Sequence, residues 1–134
     1  MDTTPRVETD LYERDEYAWL GEQARALREG RLHDLDTHNL AEFLDDMAAS
    51  QRRELVSRLE VLLTHWIKTE MQPKRHTKSW NITIDEQHNR ISDLLATAPS
   101  LSSYGEEAIA LALPRALKRA AMETGIHLVE LRFT

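Results

Sequence analysis

The sequence predicts an all-α protein, a compact bundle of about five to six helices with an extended or strand-like C-terminal tail. Three observations carry that expectation. Apolar residues recur every three or four positions through most of the chain, the spacing of a buried stripe on an amphipathic helix. The gaps between those runs coincide with helix punctuation at Gly30, Asp36, Pro73, Pro99 and Gly125. Only Ile126 to Phe133 alternates in the manner of a strand, and one strand cannot satisfy its own edges. At 134 residues the chain is expected to form a single helical domain over residues 11–125. Residues 1–10 would be loosely packed ahead of it, and residues 126–134 would follow as a packed tail.

The first helix is expected from Leu11 to about Glu29. Tyr17, Leu20, Ala24 and Leu27 share a stripe there, with Glu13, Glu16, Glu22, Arg25 and Arg28 on the other sides. Gly30 can stop it, because glycine takes a positive φ without a side-chain clash. Asp36 marks the next start: its carboxylate can accept amide hydrogen bonds at the cap while Leu35 packs on Leu40. This second helix is expected to end near Ala48 or Ala49, with Ser50 capping a third and longest one. Leu55, Leu59, Leu62, Leu63, Trp66 and Ile67 give that third helix a broad core stripe ending close to Met71, and Glu54 can pair with Arg58 one turn on. Pro73 lacks an amide donor and restricts the residue before it, so a bend follows through Lys74, Arg75, His76 and Thr77.

The fourth helix is expected to open at Ser79, with Thr83 and Glu86 as a second capping-box spacing. Trp80, Ile84, Ile91, Leu94 and Leu95 form its buried stripe, with Gln87 between the ends. Pro99-Ser100 breaks it. Ser103, followed by Glu106, opens a fifth helical region, and Pro114 is expected to split that region into a short helix and another beginning beside the proline. Glu123-Thr124-Gly125 closes the last helix. The tail beyond it is expected to pack on the bundle in preference to pairing with a neighbouring chain.

Composition narrows the chemistry. The chain has no cysteine, which excludes disulfides, thiolate metal sites and cysteine nucleophiles. No run approaches the roughly 20 apolar residues a membrane helix needs. Met1 to Asp10 is polar and acidic, without the basic patch and apolar run of a secretory signal, so a cytoplasmic location is expected. Charge is unevenly placed: residues 1–50 carry a net −8, residues 51–90 a net +3 and residues 91–134 a net −1. The acidic overall balance disfavours strong non-specific duplex binding, which needs a sustained positive footprint.

No glycine-rich phosphate loop, nucleophile elbow or catalytic triad is present. Of the histidines at positions 33, 38, 65, 76, 88 and 127 none sits in a His-Glu-x-x-His pattern, so no metal or cofactor is expected. His65 and Lys68 share one helical side and form the one weak catalytic candidate, with His65 as base, Lys68 as anion stabiliser and Glu42 as the orienting group. Their neighbours Trp66 and Ile67 favour a packed structural turn. The better surface for a partner comprises Arg52, Arg53, Lys74, Arg75 and Lys78, extended by the aromatic rings of Tyr12 and Trp19. The leading expectation is a non-enzymatic protein-interaction or regulatory module. The alternatives are a nucleic-acid-associated accessory protein using the basic elbow at residues 72–80 and a small hydrolase or nuclease using His65; a homodimer is compatible with each.

One ordered set of segments runs through the chain. It begins with Leu11-Tyr12-Glu13-Arg14-Asp15-Glu16-Tyr17-Ala18-Trp19-Leu20, Leu35-Asp36 and Asn39-Leu40-Ala41-Glu42. It continues with Leu62-Leu63-Thr64-His65, Gln72-Pro73, Ser79-Trp80, Pro99-Ser100-Leu101 and Glu123-Thr124-Gly125. Over roughly residues 11–125 this pattern resembles the small bacterial proteins of the domain of unknown function 29 family. The resemblance implies an all-helical bundle and no settled activity or catalytic residues. Glu42-Phe43-Leu44-Asp45 departs from a more acidic segment of that pattern, His88 stands at a place often basic in relatives, and Leu131-Arg132-Phe133-Thr134 stands where a Pro/Cys-containing tail is often present.

Overall fold

A computed structural model describes residues 11–75 and 78–126, with Arg75 described by its backbone alone. The fold is all-α, and no strand occurs among the described residues. After a helical turn, α1 (residues 11–14), come α2 (Glu16–Arg28), α3 (Thr37–Met71), α4 (Lys78–Thr97) and α5 (Gly105–Thr124). Short 3₁₀ turns at Leu32–Asp34, Pro73–Arg75 and Pro99–Tyr104 join them. The chain divides into two compact units between Ala48 and Ala49. The expectations for residues 1–10 and for the strand-like tail beyond Ile126 fall outside the described residues.

In the first unit, the single helix expected from Leu11 is interrupted at Asp15. The Asp15 carboxylate accepts a hydrogen bond from the Ala18 amide at 3.1 Å, so it caps α2 in place of continuing the turn before it. The buried face of α2 is Trp19, Gln23 and Ala26, whereas Tyr17 is 88% exposed and Leu27 53% exposed. Both rows have helical spacing. The side that wins is the one whose indole and amide find buried partners. Gly30 ends the helix as expected, at φ +71, with the Gly30 amide bonded to the Leu27 carbonyl at 3.1 Å and the Arg31 amide to that of Ala26 at 2.8 Å. This crossed pair of bonds is the Schellman closure.

Asp36 starts α3 as its sequence position suggests. Its Oδ1 accepts from the Asn39 amide at 3.4 Å, and its Oδ2 accepts from Asn39 Nδ2 at 2.8 Å and from the Trp19 indole Nε1 at 3.0 Å. Gln23 Oε1 in turn accepts from the Asp36 amide at 2.8 Å. Trp19, Gln23, Asp36 and Asn39 are all buried, so this polar cluster forms the centre of the unit together with the rings of Tyr12 and Phe43, whose centroids lie 4.6 and 6.0 Å from that of Trp19.

No helix ends near Ala48 or Ala49, and Ser50 is not a cap: α3 runs unbroken for 35 residues. The reason is local. Ala48-Ala49-Ser50 contains neither glycine nor proline, alanine is the best helix former, and Gln51-Arg52-Arg53-Glu54-Leu55 follows with uniformly high propensity. A serine is a cap only where the chain in front of it leaves the helix. The expected stop at Met71 before Pro73 is observed, and so is the Glu54–Arg58 pair at 3.5 Å.

The second unit packs the later part of α3 against α4, the 3₁₀ turn at Pro99–Tyr104, and α5. Leu55 and Val56 meet Ala108 and Ala112, with Leu59, Ile91, Leu94, Leu101 and Tyr104 around them. Ile67 meets Ala116 and Ala120 beside Met71 and Leu117. Contacts thus advance together along α3 and α5, so these two helices run parallel with α4 antiparallel between them in sequence. Trp66 departs from the expected core stripe and is 56% exposed. Leu55, Leu59, Leu63 and Ile67 repeat at four-residue intervals, and Trp66 lies one residue, about 100°, off that row.

Pro114 does not split α5, which is continuous from Gly105 to Thr124. Proline is exposed here, so water can reach the carbonyl it deprives of a partner. On the opposite side, Ala108, Ala112, Ala116 and Ala120 are each 0% exposed and carry the buried row straight past it. Ser103 does not cap this helix: its hydroxyl donates to the Ser100 carbonyl at 2.8 Å inside the preceding 3₁₀ turn. Gly125, at φ +77, closes α5 as expected, bonding back to the Ala121 carbonyl at 2.9 Å. At the front of α4, Ser79 lies inside a helix that starts at Lys78.

Substitutions at two positions test these assignments. Asp36→Ala removes the cap and leaves the Trp19 and Asn39 donors buried without an acceptor, and is expected to lower unfolding free energy by about 2–4 kcal/mol in a urea titration. Asp36→Asn keeps one acceptor oxygen and costs less. Pro114→Ala restores an amide donor on an exposed face, and is expected to stabilise the protein by about 1–3 kcal/mol, read as a higher thermal midpoint. Two separate helices meeting at Pro114 would give no gain.

Candidate functional site

The half-buried His65 ring is tied to its own helix, with Nδ1 3.0 Å from the Val61 carbonyl. That contact is a hydrogen bond when Nδ1 carries the proton. The His65 carbonyl accepts the Thr69 hydroxyl at 2.9 Å. Lys68 turns elsewhere. Its Nζ donates to Glu123 Oε1 of α5 at 2.8 Å and sits 5.0 Å from the centroid of the Trp80 ring of α4. With only 13% of its side chain exposed, Lys68 pins three helices of the second unit together and is not free to receive an anion beside His65. Glu42 belongs to the first unit, where it is exposed. There, partial burial first and then the carboxylates of Glu42, Glu16, Asp46 and Asp36 push the Tyr12 hydroxyl above its ordinary pKa.

Glu123 is the centre of this ionic cluster. Its Oε2 accepts from Arg119 Nε at 3.0 Å, and Arg119 Nη1 also lies 3.8 Å from Glu60 of α3. The hydrogen bond from Lys68 holds the Glu123 carboxyl below the usual carboxylate range; partial burial opposes that, and Arg119 adds to it. Sequence spacing placed His65 and Lys68 on one side of a helix. It held no signal for Glu123, 55 residues away in the chain.

The residues expected to face a partner divide. Trp19 is 0% exposed and hydrogen-bonded to Asp36, so it belongs to the core and offers no surface. Tyr12 is half-buried against it. Arg52 Cζ stands 6.0 Å from the Tyr104 ring centroid. Lys74 and Lys78 are exposed on either side of the bend, and the Arg75 side chain lies outside the described residues.

Two grooves flank the α3 portion of the second unit. One is apolar, about 390 Å³, and is lined by Leu63, Trp66, Ile67 and Glu70 of α3 with Leu113 of α5. Ile109 and Leu111 of α5 are also exposed. Glu70 has no ion-pair partner among the described residues. The other groove is polar and open, about 600 Å³, and places Ser50, Arg53, Glu54, Ser57, Arg58 and Val61 of α3 opposite Gln87 of α4. Among the described residues, no group of three or more His, Asp or Glu side chains is arranged to hold a metal ion, and no helix is long and apolar enough to cross a membrane.

A family model described as "Domain of unknown function DUF29" matches residues 11–132. No curated protein and no solved structure matches the chain.

The Lys68–Glu123 pair carries a pH signature. Because the folded carboxyl titrates below its unfolded value of about 4.3, its stabilising effect is fully present above that value and is lost as pH falls through the depressed folded value. Lys68→Met is therefore expected to cost stability at neutral pH and progressively less below about pH 4, as both proteins lose the carboxylate. Urea titrations across that range measure the difference, and a pH-independent gap would show that the pair contributes packing only.

Proposed function

The chain belongs to the DUF29 family, a grouping defined without an activity, and on that premise we propose that it is a non-enzymatic interaction module whose apolar groove takes an amphipathic helix from a partner protein. What supports this reading is the exposure of Trp66. A tryptophan left 56% in water above Leu63, Ile67 and Leu113 loses the burial its ring would gain in a core. A helix laid against α3 and α5 would recover that area through anchors at helical spacing. The Glu70 carboxylate at the groove, without an ion-pair partner among the described residues, favours a helix carrying a lysine or arginine beside its apolar side.

The hydrolase alternative finds less support, because Lys68 is engaged by Glu123 and Trp80. The nucleic-acid alternative rests on the exposed Lys74 and Lys78 at the bend, and no aromatic side chain lines the polar groove to stack a base.

The test is in-cell photo-crosslinking from a benzophenone side chain at position 66, with exposed position 88 as control, followed by mass mapping of the adduct. The expected adduct is a partner segment with apolar residues at helical spacing and a flanking basic residue. A synthetic peptide of that segment should bind the protein, and Trp66→Ala should weaken it by about thirtyfold or more, the loss typical of a tryptophan hot spot. Adducts confined to a second copy of this chain, or no adduct beyond that at position 88, would overturn the reading.

A further inference from the structure

The polar groove between α3 and α4 is a separate feature, and we propose that it binds an acidic peptide segment, with Arg53 as the residue that engages the ligand carboxylate. Ser50, Arg53, Ser57 and Val61 recur at three- and four-residue intervals, so they share one side of α3 and face the groove together. Arg53 is exposed and has no hydrogen-bond, ion-pair or ring partner among the described residues. This sets it apart from the neighbouring arginines. Arg52 stands over the Tyr104 ring and Arg58 is held by Glu54. An unpaired guanidinium flanked by two serine hydroxyls is a fork of donors suited to a carboxylate, which can accept two parallel bonds from it.

Across the groove, Gln87 supplies a second and independent indication. Its Oε1 is shielded from solvent and has no hydrogen-bond partner, the one such side-chain atom among the described residues. A buried polar end without a partner destabilises the free protein. A rotation of the Gln87 side chain toward the groove it already lines would bring the amide to a peptide N–H or C=O. Arg53 and Arg58 set against Glu54 leave a single net positive charge in the lining. That balance suits one carboxylate on a short segment better than a run of phosphates. Val61 gives the stem of the acidic side chain an apolar contact.

The experiment is fluorescence anisotropy at low ionic strength with a labelled, end-blocked short peptide carrying one glutamate between glycines. The matching glutamine peptide, a single-stranded thymidine oligonucleotide and competing inorganic phosphate are run beside it. The acidic peptide should bind, the glutamine peptide about tenfold or more weaker, and Arg53→Gln should lose about tenfold while Arg52→Gln loses little. Gln87→Met separates a ligand role from a structural one, since removing the orphaned amide should raise the thermal midpoint of the free protein and still weaken the peptide. Circular dichroism confirms that each variant is folded. The proposal is overturned if the acidic peptide does not bind, if Arg53→Gln and Arg52→Gln are equivalent, if Gln87→Met leaves affinity unchanged, or if the oligonucleotide or phosphate captures Arg53 in preference to the peptide. None of these outcomes depends on Trp66, so this site and the apolar groove stand or fall separately.

Discussion

The carboxylate of Asp36 does two things at once, and the helix common to both units begins with it. One oxygen faces the Asn39 amide and sets the first turn of α3, while the other joins the Asn39 side chain to the Trp19 indole of α2. No cation is needed to hold the carboxylate in place, since directed N–H donors replace the water it gives up. Gln23 completes the arrangement by accepting the Asp36 backbone amide, one of the donors ahead of a helix start that has no intrahelical partner. The start of α3 is therefore fixed by groups from α2 as well as by its own sequence.

Local chemistry was sufficient where one residue type has no competitor. Gly30 and Gly125 could be read as stops because a positive φ suits glycine almost alone, and Pro73 as a stop because it removes a donor. Asp36 could be read as a start for similar reasons. Local chemistry was insufficient at Ala48-Ala49-Ser50, where a cap-compatible serine follows two strong helix formers and the helix simply continues. It was insufficient again at Pro114, whose cost is moderated by exposure and outweighed by an alanine row packed on the other side. The Ala48–Ser50 stretch is still informative, because the division between the compact units falls within it although no helix ends there.

Which of two adjacent rows is buried is a harder question for sequence. Tyr17 and Trp19 both belong to plausible stripes, and the choice rests on Asp36, reached only through tertiary structure. Trp66 poses the same problem in reverse, one residue away from the Leu55–Ile67 row and pointing off it. Of the candidate site residues, charge and spacing identified Arg53 as basic and Gln87 as part of a stripe. That Arg53 has no partner among the described residues and that Gln87 Oε1 is buried without one are properties of the packed state. The same holds for Lys68, whose role is set by Glu123 and Trp80 from two other helices.

The alanine row of α5 has a consequence for how that helix is seated. Four identical small side chains spaced four apart make a ridge that repeats about every 6 Å along the axis. A slide by one repeat would set nearly the same ridge against α3. Methyl groups alone distinguish such positions poorly. The charges share that spacing but alternate in sign, Glu60 and Lys68 on α3 and Arg119 and Glu123 on α5, so a slide by four residues would set Arg119 against Lys68 or Glu123 against Glu60. Modest as each ion pair is energetically, together they act as an index mark that selects one alignment among near-equivalents.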